Sequence, residues 1–164
     1  LKNGVKEFDK LLAQNKPIGA LAFYWRNWPE QEDYWVGLTF GRKHFVNHGM
    51  YLREGMAAVN FCDEDNFFFY HADGDLGLRM AAGGYECFPA SNSYIEHYSD
   101  ANTKVRASNI SQQKKDWATY MARWRHLGKF EGGWETKEYS DVTNTSKKYW
   151  GRQHLKNKIQ SRFK

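Results

Sequence analysis

Asp73 and Asp75 stand two residues apart, directly behind the aromatic run Phe67-Phe68-Phe69-Tyr70. Leu76 and Met80 follow at a spacing of four, and Gly83-Gly84 comes next, so the pattern predicts a short helix that opens on the two acids and stops at the glycines. The positive end of a helix dipole favours carboxylates. Two acids in such a corner allow two kinds of chemistry. One carboxylate can take a proton from a substrate hydroxyl as general base while the other hydrogen-bonds that substrate, or both can hold a hard cation through oxygen. The plain alternative is a pair of acids that stabilises a helix start and does nothing else. His97 is the second candidate, near the end of a predicted strand from Tyr94 to Tyr98 and just ahead of the polar stretch Ser99-Asp100-Ala101-Asn102-Thr103; it is either a ligand or a satisfied structural histidine. Lys104 and Arg106 lie in the same polar loop, where two cations can close over a diphosphate or serve solubility alone.

Other kinds of site are not encoded. There is no GxxxxGK[ST] or GxGxxG loop, no CxxC, no HExxH and no GxSxG elbow. Cys62 and Cys87, the only cysteines, have no zinc spacing and cannot make a disulfide framework, which makes a reducing, cytoplasmic setting the default expectation. No apolar run approaches the ~20 residues of a membrane span.

The elements that must position these residues follow from periodicity. Val5, Phe8, Leu11 and Leu12 mark a first helix, with Asn3 as its expected N-cap and Pro17 beyond its end. Ile18 to Tyr24 is a short apolar run that reads as a buried strand. Residues 25–60 carry Trp25, Trp28 and Trp35 among glycines at 37, 41, 49 and 55 and read as a long connection with short strands and a short helix near Arg53. Two strands are expected around Tyr85 to Phe88 and Tyr94 to Tyr98, separated by Pro89. The clearest helix begins after Ser111, with Trp117, Tyr120, Met121, Trp124 and Leu127 on its stripe and Gly128 at its end. Short strands mixed with helices predict an α/β or α+β sheet domain.

The chain has 164 residues, a formal net charge of +5 and 17% aromatic residues, enough to pack one core and inconsistent with global disorder. Its charge is divided unevenly. Residues 1–100 hold nine Lys/Arg against fourteen Asp/Glu, and residues 101–164 hold fifteen against five, giving −5 and +10. No acid follows Asp141. We therefore divide the chain into a domain over residues 1–130 and a basic helical extension over 131–164. The extension suits an anionic partner: its weak Leu155, Ile159, Phe163 stripe is compatible with peripheral contact at a membrane surface. Basic residues interleaved with Trp and Tyr also allow a second reading, a non-catalytic module that binds nucleic acid or another anionic polymer. That reading leaves the acidic motif unexplained, so nucleic acid ranks as the lesser expectation.

The ordered set Phe61-Cys62-Asp63-Glu64, Phe68-Phe69-Tyr70-His71-Ala72-Asp73-Gly74-Asp75-Leu76-Gly77-Leu78-Arg79 and Gly83-Gly84-Tyr85-Glu86 resembles the second half of the family 2 glycosyltransferases, which have the GT-A fold. A strand ending near His97, a polar loop and an aromatic helix over Asp116-Trp117 to Arg123-Trp124 continue the resemblance, which spans roughly residues 18–126. It implies a partial GT-A-like α/β fold, a mixed sheet with flanking helices whose nucleotide-binding half is missing. The implied reaction is transfer of a sugar from a nucleotide-sugar donor to a glycan or other hydroxyl acceptor, commonly with inversion. Carried over by position, Asp73 is the general base, Asp75 orients Arg79 or the acceptor, and Tyr70 joins the tryptophans of residues 25–35 as an acceptor platform. His97 would complete a divalent metal site, Mn or Mg, on the donor diphosphate, and Lys104 and Arg106 belong to the loop that orders over it. This sequence departs from the pattern at Ala72, where an acid usually precedes the base, and at Gly74, where the usual residue is apolar. Only seventeen residues precede Ile18, so the resemblance further implies the C-terminal part of a longer enzyme, without a donor site of its own.

Overall fold

The computed structural model describes residues 1–28, 30–98, 107–130 and 133–137. Among them, α1 (Lys2–Ala13) leads into β1 (Ile18–Asn27), followed by β2 (Tyr34–Leu38), β3 (His44–Phe45), β4 (Gly49–Tyr51), α2 (Arg53–Ala58), α3 (Ala72–Ala82), β5 (Glu86–His97), α4 (Ile110–Trp124) and β6 (Gly133–Lys137). The strands form one mixed six-stranded sheet. β1 pairs antiparallel with β2 and β4 and parallel with β5, while β2 pairs antiparallel with β3 and β6. The class is α/β, an open mixed sheet with flanking helices.

β1 lies between its neighbours and is covered on both faces, which explains an apolar run without alternation. Ala20, Ala22 and Tyr24 pack with Tyr34, Val36 and Val46. Leu21 and Phe23 turn the other way, onto Phe8 of α1 and Ala90 of β5. A third cluster, Phe40, Phe67, Leu78, Tyr120 and Trp124, joins α3 to α4.

Several sequence expectations are corrected here. Asn3 is not the N-cap of α1, which is Leu1; Asn3 instead donates its side-chain amide to the Asn92 carbonyl at 3.1 Å. The buried stripe of α1 runs through Gly4 and Phe8, leaving Val5 and Leu12 exposed. The two strands expected either side of Pro89 are one strand, β5, with register shifts against β1 at Ile18/Ala20 and Ala22/Tyr24. Among the described residues β5 pairs only with β1, and an irregular edge strand tolerates a proline that cannot donate a ladder hydrogen bond. In α4, Tyr120 and Trp124 of the expected stripe are buried, with Met121 packed beside them, and Asp116 joins them, whereas Trp117 and, beyond the helix, Leu127 are exposed. The expected domain boundary at residue 130 falls before a strand of the same sheet, because Gly133–Lys137 pairs along all of β2. The rest of the basic extension, 138–164, lies outside the described residues.

Candidate functional site

The segment from Phe67 to Asp73 is held from below by one buried side chain. Asp116 of α4 is fully buried and accepts the consecutive backbone N–H groups of Phe68, Phe69 and Tyr70 at 3.3, 3.0 and 2.8 Å, together with the Gln112 amide at 2.8 Å. Burial alone would raise its pKa, but the hydrogen bonds from Tyr70, Gln112, Phe69 and Phe68 outweigh that and hold it below the usual carboxylate range. The turn is thereby fixed. The chain then enters α3 through His71, whose backbone is left-handed at φ 62°, a conformation few non-glycine residues adopt.

Asp73, in the first turn of α3, faces a cavity of about 450 Å³ whose lining includes Tyr70, His71, Asn47, Trp117, Phe130 and Trp134. Its Oδ2 accepts the Asn47 side-chain amide at 3.0 Å, and its Oδ1 the Gly74 N–H at 2.8 Å. Burial pushes the Asp73 carboxyl up, and the Gly74 N–H, the nearby His71 and the Asn47 amide only partly offset it. A raised carboxyl pKa moves a base toward the operating pH and strengthens it. Gly74 lets Tyr120 pack closely, since a Cβ there would stand 3.0 Å from the Tyr120 phenol oxygen and the ring would have to give by a few tenths of an ångström. The Tyr120 hydroxyl is itself engaged with Thr39, and its pKa is pushed up to about 12, mainly by burial. The His71 ring stacks on Tyr120, centroids 5.4 Å apart, and packs against Trp117 at 5.0 Å. Burial lowers the His71 pKa, more than the Asp73 and Asp116 charges raise it.

The other expected site residues are distributed differently. Tyr70 lines the Asp73 cavity. Asp75 does not reach an acceptor: it is fully buried and accepts from Arg79 Nε at 2.7 Å, Arg123 Nη1 at 2.9 Å and Trp124 Nε1 at 2.9 Å. Arg123 also pairs with Asp63 at 2.7 Å. Asp75 thus orients Arg79, as one of its two expected roles requires, and ties α3 to α4. Its other oxygen cannot serve a substrate because indole and guanidinium occupy it. Arg79 is a correction too. It donates to the Val59 carbonyl and lines a second cavity with Asn60, Cys62, Asp63, Glu64 and Asp65, not the cavity of Asp73. Helical geometry accounts for the split, because positions 73, 75 and 79 are not on one face.

His97 is not among the residues lining the Asp73 cavity. It ends β5 opposite Asn27, with a 2.9 Å hydrogen bond between its Nδ1 and Asn27 Oδ1. Its ring packs against Trp25 at 5.8 Å and His48 at 5.5 Å. Among the described residues no group of three or more His, Cys, Asp or Glu is arranged to hold a metal, and two imidazoles do not match the oxygen preference of Mg²⁺ or Mn²⁺. The described residues around His97 therefore do not fit the expected divalent ion on their own, and no step is routed through one. Lys104 and Arg106 lie outside the described residues. Of the tryptophans in residues 25–35, Trp28 is buried beneath the Arg26 guanidinium at 4.5 Å. Trp25 and Trp35 pack on Trp134 at 5.6 and 5.2 Å, and Trp134 carries that cluster to the cavity wall.

Asn47, His71, Asp116 and Trp134 are the site residues that sequence reasoning missed. Asp116 had a readable signal, an acid one α-turn before Tyr120 and two before Trp124 on the buried stripe. Asn47 and Trp134 reach the site through sheet pairing over long sequence separations, which no local pattern encodes. The chain matches no protein-family model, no curated protein and no solved structure.

Proposed function

We propose that this chain forms the acceptor-binding part of a glycosyltransferase and that Asp73 is its general base. The observation that carries the reading is the placement of Asp73: a carboxyl with a raised pKa, steadied by Asn47, facing an aromatic-lined cavity. Aromatic rings present flat apolar faces to the C–H faces of a sugar, and the few polar groups among them orient its hydroxyls. An alcohol is a poor nucleophile until its proton leaves. In the proposed step the acceptor hydroxyl gives its proton to Asp73 as its oxygen bonds to the anomeric carbon of the donor sugar. The bond from that carbon to the diphosphate oxygen breaks, and the nucleoside diphosphate departs with the electron pair. In-line displacement inverts the anomeric centre. The mixed sheet with flanking helices is the scaffold this reading needs, and we assign it to a partial GT-A fold on the strength of the motif order along the chain.

Intrinsic tryptophan fluorescence tests the binding half of the reading, because Trp117 and Trp134 line the cavity. Titration with a panel of mono- and disaccharides should produce a saturable change for part of the panel, and Trp134→Ala should weaken that binding about tenfold, roughly 1.4 kcal/mol. A panel with no binder overturns the reading, all the more if single-stranded DNA binds instead with steep salt dependence.

A further inference from the structure

The Asp73 cavity has a second polar group whose hydrogen-bonding capacity the fold does not use. Among the side chains that line it, the Asn47 amide donates to Asp73, and the hydroxyls of Thr39 and Tyr120 engage each other. The His71 imidazole lines the same cavity. Rings grip it, Tyr120 at 5.4 Å and Trp117 at 5.0 Å. Yet neither of its nitrogens hydrogen-bonds to a described residue, and neither is shut away from solvent. The ring is fixed while its polar atoms stay open. Its backbone is also strained, at φ 62°, and strain of that kind persists where the surrounding structure imposes it, often at a binding site.

The charge state of the ring identifies what it suits. Burial lowers its pKa, so at neutral pH the imidazole is uncharged, with one nitrogen donating and the other accepting. A hydroxyl donates and accepts in the same way. A phosphate or carboxylate is disfavoured, because Asp73 faces the same cavity and no Lys or Arg is among the described residues that line it. Resting on the glycosyl-transfer reading, we propose that His71 is an acceptor-binding residue that makes the cavity selective for a sugar with two adjacent hydroxyls, one giving its proton to Asp73 and the other held by the imidazole. The two side chains hang from the start of one helix, and each acts electrostatically on the other. A second anchor beside the reacting oxygen fixes the rotation of the sugar ring, which a single hydrogen bond leaves free.

NMR titration of the full chain with methyl glucoside, methyl galactoside, methyl mannoside and their monodeoxy derivatives tests this. For the wild type, removing either of two adjacent hydroxyls should weaken binding about tenfold, and removing any other should matter less. His71→Phe keeps a ring against Tyr120 and Trp117 but has no nitrogen. It should bind the parent glycoside about tenfold more weakly and no longer distinguish it from one of the two deoxy compounds, while the penalty at the neighbouring position persists. His71→Gly, which accepts a left-handed backbone, should show the same pattern, and it replaces the Phe variant if a thermal melt shows that one misfolded. Equal weakening of every glycoside, the mark of a structural role, overturns the inference, as does a penalty pattern unchanged from the wild type or an erased penalty at a non-adjacent position. In each of those cases methyl glycoside binding leaves the glycosyl-transfer reading standing, whereas failure of every glycoside to bind removes both.

Discussion

Asp73 and Asp116 are carboxyls on consecutive helices, α3 and α4, that the fold treats in opposite ways. Burial raises Asp73 despite its hydrogen bonds, so its folded pKa lies above its unfolded value of 3.8. The stability linked to its protonation is complete below that unfolded value and is lost as pH rises through the folded one. Asp73→Asn carries no charge at any pH. It should therefore melt at a higher temperature than the wild type at neutral pH, with the gap closing toward about pH 4; a variant less stable at neutral pH contradicts burial as the dominant influence on this carboxyl. Asp116 has the reverse sign. Its pKa is depressed, so its contribution is present above the unfolded value and lost as pH falls through the folded one. Asp116→Asn leaves one oxygen where two accepted three backbone N–H groups and the Gln112 amide. It should cost about 2–3 kcal/mol in chemical denaturation at neutral pH; an unchanged midpoint would mean the turn does not depend on the carboxylate. The acidic pair at the start of α3 was legible because helix-start acids follow a local rule. The division of labour between its members was not: Asp75 is consumed by Arg79, Arg123 and Trp124, and two of those partners come from α4.

At the scale of elements, β1 and α3 were readable, and the connection between them was readable only in outline. The apolar run beginning at Ile18 and the acids-to-glycines span of α3 are local signals, and each element forms where its signal lies. β3 and β4 are two and three residues long, too short to show a period, and exist because they pair with β2 and β1. Gly49 shows how tightly. A Cβ there would overlap the Leu21 carbonyl across the β1–β4 pairing, and backbone cannot move aside as a side chain can. Gly49→Ala should therefore destabilise by more than 2 kcal/mol, read from the denaturant midpoint. An unchanged midpoint would mean that the β1–β4 pairing shifts to admit the methyl group. The stripe of α4 was legible at Tyr120, Met121 and Trp124 but not at its edge, because aromatic spacing marks Trp117 as readily as Tyr120, and only a carboxylate with waiting N–H donors makes Asp116 a core residue.

For the whole molecule, the acidic part of the chain supplies five of the six described strands and the candidate base, and the basic part supplies β6 and the helix that holds the site together. No helix among the described residues is long and apolar enough to cross a membrane. β6 carries Trp134 to the cavity and Glu135 back to the sheet, where it accepts from Tyr24 and pairs with His44 at 2.9 Å, so the site is closed by a strand far along the chain from Asp73. The central claim is that this aspartate takes a proton from a sugar hydroxyl. Sugar transfer from nucleotide-sugar donors to the acceptors that bind, assayed at the protein's full encoded length in wild type and Asp73→Asn, addresses it most directly. The wild type should transfer sugar and Asp73→Asn should lose about 10²–10⁴-fold in kcat, with acceptor affinity and fold retained; a variant that turns over at the wild-type rate would remove Asp73 as the base.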